Sequence, residues 1–185
     1  DTAVEYEFHP LFRAFLFNQL KTQTNDAELR ELQRRAGRLL VEEGAVDSAI
    51  DLLISARDWA SAANVLQLNA ETLYGQGRFN TLTGWLSQFP AEVIADLPWL
   101  AYWQGTCTAL TNFRNGRIQL EQAFDGFKQS GDKLGEILCA AQIIEIVYFQ
   151  FENYSDFSKW LDHLERLDSM TFAFPSIEMR LQVLS

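Results

Sequence analysis

PWLAYWQGTCTALTNFRNGRIQLEQAFDGFKQSGDKLGEILCAAQIIEIVYFQFENYSDFSKWLDHLERL, residues 98–167, is the stretch on which the reading of this chain turns. It reads as two helical hairpins laid end to end. In each, an apolar helix meets a Gly or Asn turn and a second apolar helix follows, once around Asn115-Gly116-Arg117 and once around Glu152-Asn153-Tyr154. Toward the N-terminus the same punctuation recurs at Glu43-Gly44-Ala45 and Gln76-Gly77-Arg78. The turn residues Gly44, Gly77, Gly116 and Asn153 are spaced by 33, 39 and 37 residues. A helix pair cannot bury its own apolar face, so units of this length stack on one another. The fold class expected is all-α, built of antiparallel helix hairpins in a right-handed superhelical repeat array.

The remaining pattern extends the array in both directions. Val4-Glu5-Tyr6-Glu7-Phe8 alternates apolar and acidic residues, the period of a short strand with one buried face. The strand has no visible partner, and at the other end the helical pattern after Pro175 (Ile177, Leu181, Leu184) stops at Ser185. Both ends lead to the expectation of a piece cut from something larger. Pro10 is placed to open a helix, where its missing N–H costs nothing, with an apolar stripe of Leu11, Phe12, Phe15, Leu16 and Leu20. Asp26 is expected to cap a second helix with the stripe Leu29, Leu32, Ala36, Leu39 and Leu40, ended by Gly44. Helices are then expected from Val46 to Ala56, from an Asp58 cap through Leu73, and from Phe79 to Phe89. Pro90 opens a short turn ending near Asp96, and Pro98 opens a longer helix. Leu120, Ala123, Phe124 and Phe127 mark the next helix, and Asp132 caps a long one to Phe151. Phe157, Trp160, Leu161, Leu164 and Leu167 mark the last. All four prolines fall at helix starts. The short connections make successive helices antiparallel neighbours.

Composition narrows the classes of function. The chain has 185 residues, 48% of them hydrophobic, enough for a sizeable core or an elongated array. Its net charge is −10. Binding to phosphate backbones or an anionic membrane calls for clustered Lys and Arg, so both partners are disfavoured. Cys107 and Cys139 sit among apolar helical residues and read as small buried hydrophobes in a reducing cytoplasm. The most apolar run, Ile143 to Phe151, is interrupted by Glu145 and Gln150 and is too short to span a bilayer.

The residues Phe8-His9-Pro10-Leu11-Phe12-Arg13-Ala14-Phe15-Leu16 resemble the end of the winged-helix domain in the STAND group of large bacterial signal-transduction ATPases. That group includes the activator of the maltose regulon and related LuxR-type regulators. Gln33-Arg34-Arg35-Ala36-Gly37, the passage Glu42-Glu43-Gly44-Ala45-Val46-Asp47-Ser48-Ala49-Ile50, and Ala56-Arg57-Asp58-Trp59 continue the likeness. Gly75-Gln76-Gly77-Arg78, Trp85-Leu86 and Phe89-Pro90 follow in order. The resemblance covers residues 6 to 100; beyond them the pattern is that of tetratricopeptide-like repeats. It implies three parts. Residues 1–24 would close a winged-helix domain, 25–97 would form a helical linker and first repeats, and 98–185 would form tetratricopeptide-like repeats. It further implies a cytoplasmic, non-catalytic sensor arm. The arm would receive a small-molecule inducer or a regulatory protein and relay it to an ATPase domain. ATP or ADP is implied for that upstream domain alone, and the DNA-binding output lies elsewhere in such regulators. The chain departs from the family in having no Walker A loop. Gly126-Phe127-Lys128-Gln129-Ser130-Gly131-Asp132-Lys133 comes nearest, but Asp132 parts glycine from lysine and Leu134 stands where Ser or Thr is required. A free-standing tetratricopeptide-like scaffold for protein partners is the alternative.

Candidate site residues come from two surpluses. Trp and Tyr are enriched at binding hot spots, which singles out Trp99, Tyr102, Trp103, Tyr148 and Tyr154 for a ligand or partner. Helical spacing equally accounts for such residues as core between stacked helices. Arg30, Arg34 and Arg38 recur every four residues on one helix and mark a contact with a neighbouring domain, against a solvated face paired with Glu31 and Glu42. His9 and His163 are far apart and belong to no metal-spaced cluster, and no nucleophile elbow is present. No cofactor is expected in these residues.

Overall fold

The computed structural model describes residues 9–150 and 158–164. The expected strand at Val4–Phe8, the Asn153 turn and the pattern after Pro175 lie outside the described residues. Within them every regular element is helical, as the all-α reading requires. The elements are α1 (Pro10–Gln23), α2 (Asp26–Glu42), α3 (Val46–Ser55), α4 (Trp59–Gly75), α5 (Phe79–Leu86), α6 (Ala91–Asp96), α7 (Pro98–Ala109), α8 (Phe113–Ser130) and α9 (Lys133–Gln150). A helical stretch follows at 158–164. The chain divides into two compact units between Val65 and Leu66, inside α4.

In the first unit, local chemistry sets the helix starts. Pro10 occupies the first turn of α1, and the His9 ring accepts from the Leu11 N–H at 3.3 Å. Asn25, rather than Asp26, caps α2. Its side chain accepts from the Glu28 N–H at 2.9 Å, while the Glu28 carboxylate accepts from the Asn25 N–H at 3.1 Å. This reciprocal capping box satisfies two otherwise orphan donors and leaves Asp26 as the first helical residue. Asp58 caps α4 as expected, accepting from the Ser61 N–H at 3.3 Å. Helices α2 and α3 meet at Gly37, where a Cβ would lie 2.9 Å from Leu53 Cγ. The seam of α2 therefore runs through a glycine. Leu32 and Leu39 of the expected stripe stand 41% and 61% exposed. Four residues of the α1 stripe are also exposed, from Leu16 at 40% to Leu11 at 76%, while Leu20 is half-buried. The buried core of this unit includes Ala49, Ile50, Leu53, Ile54, Ala56, Ala62, Ala63 and Val65.

In the second unit, α7, α8 and α9 form successive hairpins. Their register follows from where glycines bring backbones together. A Cβ at Gly126 would lie 2.8 Å from Pro98, one at Gly105 2.8 Å from Leu120, and one at Gly116 2.6 Å from Ala109. As the position on α7 advances from Pro98 to Ala109, its partner on α8 retreats from Gly126 to Gly116, so the pair is antiparallel. Gly116 is thus a point of close approach inside α8 and not the turn that its sequence neighbours suggest. The turn lies at residues 110–112, where the Asn112 side chain accepts from the Asn115 N–H at 3.0 Å and starts α8 ahead of the glycine. The next left-handed turn is Gly131 (φ 77°), and Asp132 then caps α9 through the Gly135 N–H at 3.1 Å. The Phe127 ring packs over Gly135. The core here runs through Leu82, Leu86, Leu100, Leu120, Phe127, Leu138 and Ile143.

Candidate functional site

Among the described residues, the cavities of the second unit include two of contrasting lining. The larger, about 450 Å³, is floored by α7 and α8 and rimmed by α6 and the end of α5. Its α8 wall is Gln119, Gln122, Ala123 and Gly126, spaced i, i+3, i+4 and i+7 on one helix face. The α7 wall is Pro98, Ala101 and Gln104, and Leu86, Phe89, Ala91, Ile94 and Ala95 close the rim. Small side chains on both walls leave the volume open. Its polar side chains are neutral: the carboxamides of Gln104, Gln119 and Gln122 and the hydroxyl of Ser87, which donates to the Gly84 carbonyl at 2.9 Å. The Oε1 atom of Gln119 is buried and accepts no hydrogen bond. A buried acceptor without a donor costs about 1–3 kcal/mol relative to a satisfied one, and this atom is closed off from the water-accessible space of the cavity.

The second cavity, about 410 Å³, is of opposite character. Glu121, Phe124, Asp125, Lys128, Lys159, Trp160 and His163 line it. Beside it Glu136, 1% exposed, accepts from Lys133 Nζ at 2.6 Å and faces His163 Nε2 at 3.3 Å. A buried carboxylate needs such partners. Trp160 and His163 both stand edge-on to Phe124, with centroids 5.0 and 4.7 Å away. Phe124 and Glu136 thereby anchor the 158–164 stretch, while Glu121 of the cavity pairs with Arg117 Nε at 2.9 Å.

The aromatic candidates fall in different places. Tyr102 (1% exposed) and Trp103 (5%) are in the core, their rings 5.1 Å apart and edge-on. Trp103 also contacts Tyr74 at 5.8 Å. Trp99 is half-buried. Its indole N–H donates to Asp132 Oδ2 at 3.0 Å, and its ring meets Phe127 edge-on at 4.9 Å. One Asp132 carboxylate thus caps α9 and fastens α7 to that corner. Tyr148 is 65% exposed, and Tyr154 lies outside the described residues. The structure brings Trp99, Tyr102 and Trp103 together as packing and leaves Tyr148 apart from them. None of the four lines the amide-walled cavity.

The arginine stripe is partly engaged within its own unit. Arg34 pairs with Glu31, and Arg34 Nε and Arg38 lie 3.4 and 3.3 Å from Asp58 Oδ2. Arg30 is half-buried. Burial raises both thiols above their ordinary range: Cys139 strongly, and Cys107 against a hydrogen bond with Thr83 that lowers it. Burial also raises Tyr74, with smaller contributions from the charges of Cys107 and Glu145. Among the described residues no group of three His, Cys, Asp or Glu could hold a metal ion. No helix there is long and apolar enough to cross a membrane.

Sequence reasoning missed the three glutamines. Their signal was present: Gln119 and Gln122 lie on the face of α8 that also carries Ala123 and Gly126, where an outward face would carry charge. No family model matches the chain, and no curated protein or solved structure matches it either.

Proposed function

We propose that this chain is a non-catalytic regulatory arm that binds a ligand or partner and relays the event to an ATPase domain outside these residues, as in STAND-type transcriptional regulators. The observation that carries the reading is the cavity of about 450 Å³ between α6, α7 and α8. It is concave and mostly apolar, with a few convergent polar groups, the form that binding pockets take. It carries no ionisable side chain for general acid–base or nucleophilic work. The hairpin stacking of α7, α8 and α9, the helix opened by His9-Pro10, and the left-handed turns at Gly44 and Gly77 are consistent with a tetratricopeptide-like arm following a winged-helix domain. The −10 charge disfavours direct contact with nucleic acid or an anionic membrane, and a cytoplasmic location is part of the same proposal. The mechanism is linkage: occupancy that is tighter in one arrangement of the parent protein shifts the population toward it.

Reading the gene on either side of these residues tests the proposal. A phosphate-binding Walker A loop upstream and a helix-turn-helix downstream are expected. Flanks carrying neither would overturn the relay and leave a free-standing scaffold for protein partners.

A further inference from the structure

The helical stretch 158–164 has one fully buried side chain, Trp160, which stands edge-on to Phe124 of α8. His163 is half-buried, meets the same ring and faces Glu136 of α9. Ser158, Lys159, Leu161 and Asp162 are exposed. We infer that this stretch is a releasable strap over α8 and α9, latched by the pairing of His163 with the buried Glu136 carboxylate. The device is separate from the cavity between α6, α7 and α8 and goes beyond the binding-arm reading.

The latch follows from where a charge is placed. Among the described residues Glu136 is the one buried carboxylate. Its Oε1 accepts from Lys133 Nζ on the same helix at 2.6 Å, and its Oε2 is left to His163 Nε2 at 3.3 Å. With the strap docked, each oxygen has a partner. Without the imidazole, Oε2 would stay desolvated and lack that donor, a costly state. Lifting the strap removes that cost by returning the carboxylate to water. A buried ion pair adds little net strength over apolar residues of similar volume, whereas losing one partner is expensive. Glu136 therefore makes docking conditional on His163, a condition that an apolar residue at this position would not impose. Contacts this few also place the stretch among the parts of a fold that open locally. Release uncovers the Phe124 edge and the Glu136 carboxylate and leaves the close α7–α8 pairing at Gly105 and Gly116 in place.

Hydrogen–deuterium exchange of the intact 185-residue protein tests the latch. Wild type, His163→Ala, Glu136→Gln and the double variant are compared at a single pH. In wild type the amides of 158–164 should exchange faster than those of α8. His163→Ala should speed them about tenfold or more, the worth of a hydrogen bond to a charged group, with α7 and α8 unchanged. Glu136→Gln removes the charge that needs the latch, so adding His163→Ala to it should speed exchange about threefold or less. Equal acceleration in both backgrounds would assign the imidazole to packing on Phe124 and overturn the inference. Three other results overturn it as well: protection of 158–164 in wild type as deep as that of α8, no acceleration in His163→Ala, or acceleration spread uniformly over the unit, which means that the stretch opens only with the core.

Discussion

Gly116 shows how much one residue decides here. A Cβ at this position would stand 2.6 Å from the N, Cα and Cβ atoms of Ala109. The obstruction includes backbone, which cannot swing aside like a flexible side chain, so α7 and α8 must separate. Gly116→Ala is expected to destabilise the protein by about 2 kcal/mol or more, read from the urea midpoint. A control at Gly84, where the space is open, should change stability little. The sequence could not reveal this role, because a glycine between Asn115 and Arg117 has the appearance of a turn. Its two uses, left-handed backbone and close approach, are distinguished only by what lies opposite. The glutamines escaped notice for the same reason: a neutral amide on a helix acquires meaning from the wall it faces. A further residue-scale consequence concerns ionisation. Cys107, Cys139 and Tyr74 are all raised by burial. The unfolded chain therefore releases these protons first as pH rises, and their contribution to stability, whole below about pH 8.5, declines above it. Both thiols should react slowly with iodoacetamide at pH 8 in the folded protein and rapidly in urea. The midpoint should fall on the alkaline side, and less so in Cys139→Ala.

At the scale of elements, the chemistry that starts helices was the most legible. Pro10 and Pro98 sit at first turns, Pro90 immediately precedes α6, and Asp58 and Asp132 cap as their positions indicated. Capping is local, so a few adjacent residues carry the information. The single-residue shift from Asp26 to Asn25 arose because two good capping residues stand side by side, and Glu28 selects the one three positions before it. Faces were less legible than ends. The stripe on α1 is periodic yet exposed, since periodicity identifies an apolar face and not what covers it. The turn between α3 and α4 offers a direct test of local strain. Arg57 has φ 56°, a left-handed conformation that costs a residue bearing a Cβ about 1–2 kcal/mol. Arg57→Gly removes that cost but adds freedom to the unfolded chain, and a net gain of up to about 1 kcal/mol is expected. A loss exceeding about 1 kcal/mol would show that the guanidinium makes a contact outweighing the strain.

For the whole molecule, the all-α reading and the hairpin order of α7 to α9 follow from apolar spacing and turn chemistry, which the sequence displays openly. The site does not follow from them. Tyr102 and Trp103 drew attention by residue type and prove to be core, while the cavity is walled by residues of ordinary type gathered by tertiary packing. On the proposed linkage reading, changing what the cavity between α6, α7 and α8 can hold should alter the activity of the attached ATPase domain. The ATPase rate of the intact parent protein, wild type against Ala101→Trp, which fills the cavity from its α7 wall, tests this most directly. The account predicts a changed ATPase rate in a variant whose unfolding midpoint is unaltered. An unchanged rate, or a parent protein with no ATPase activity, would contradict it.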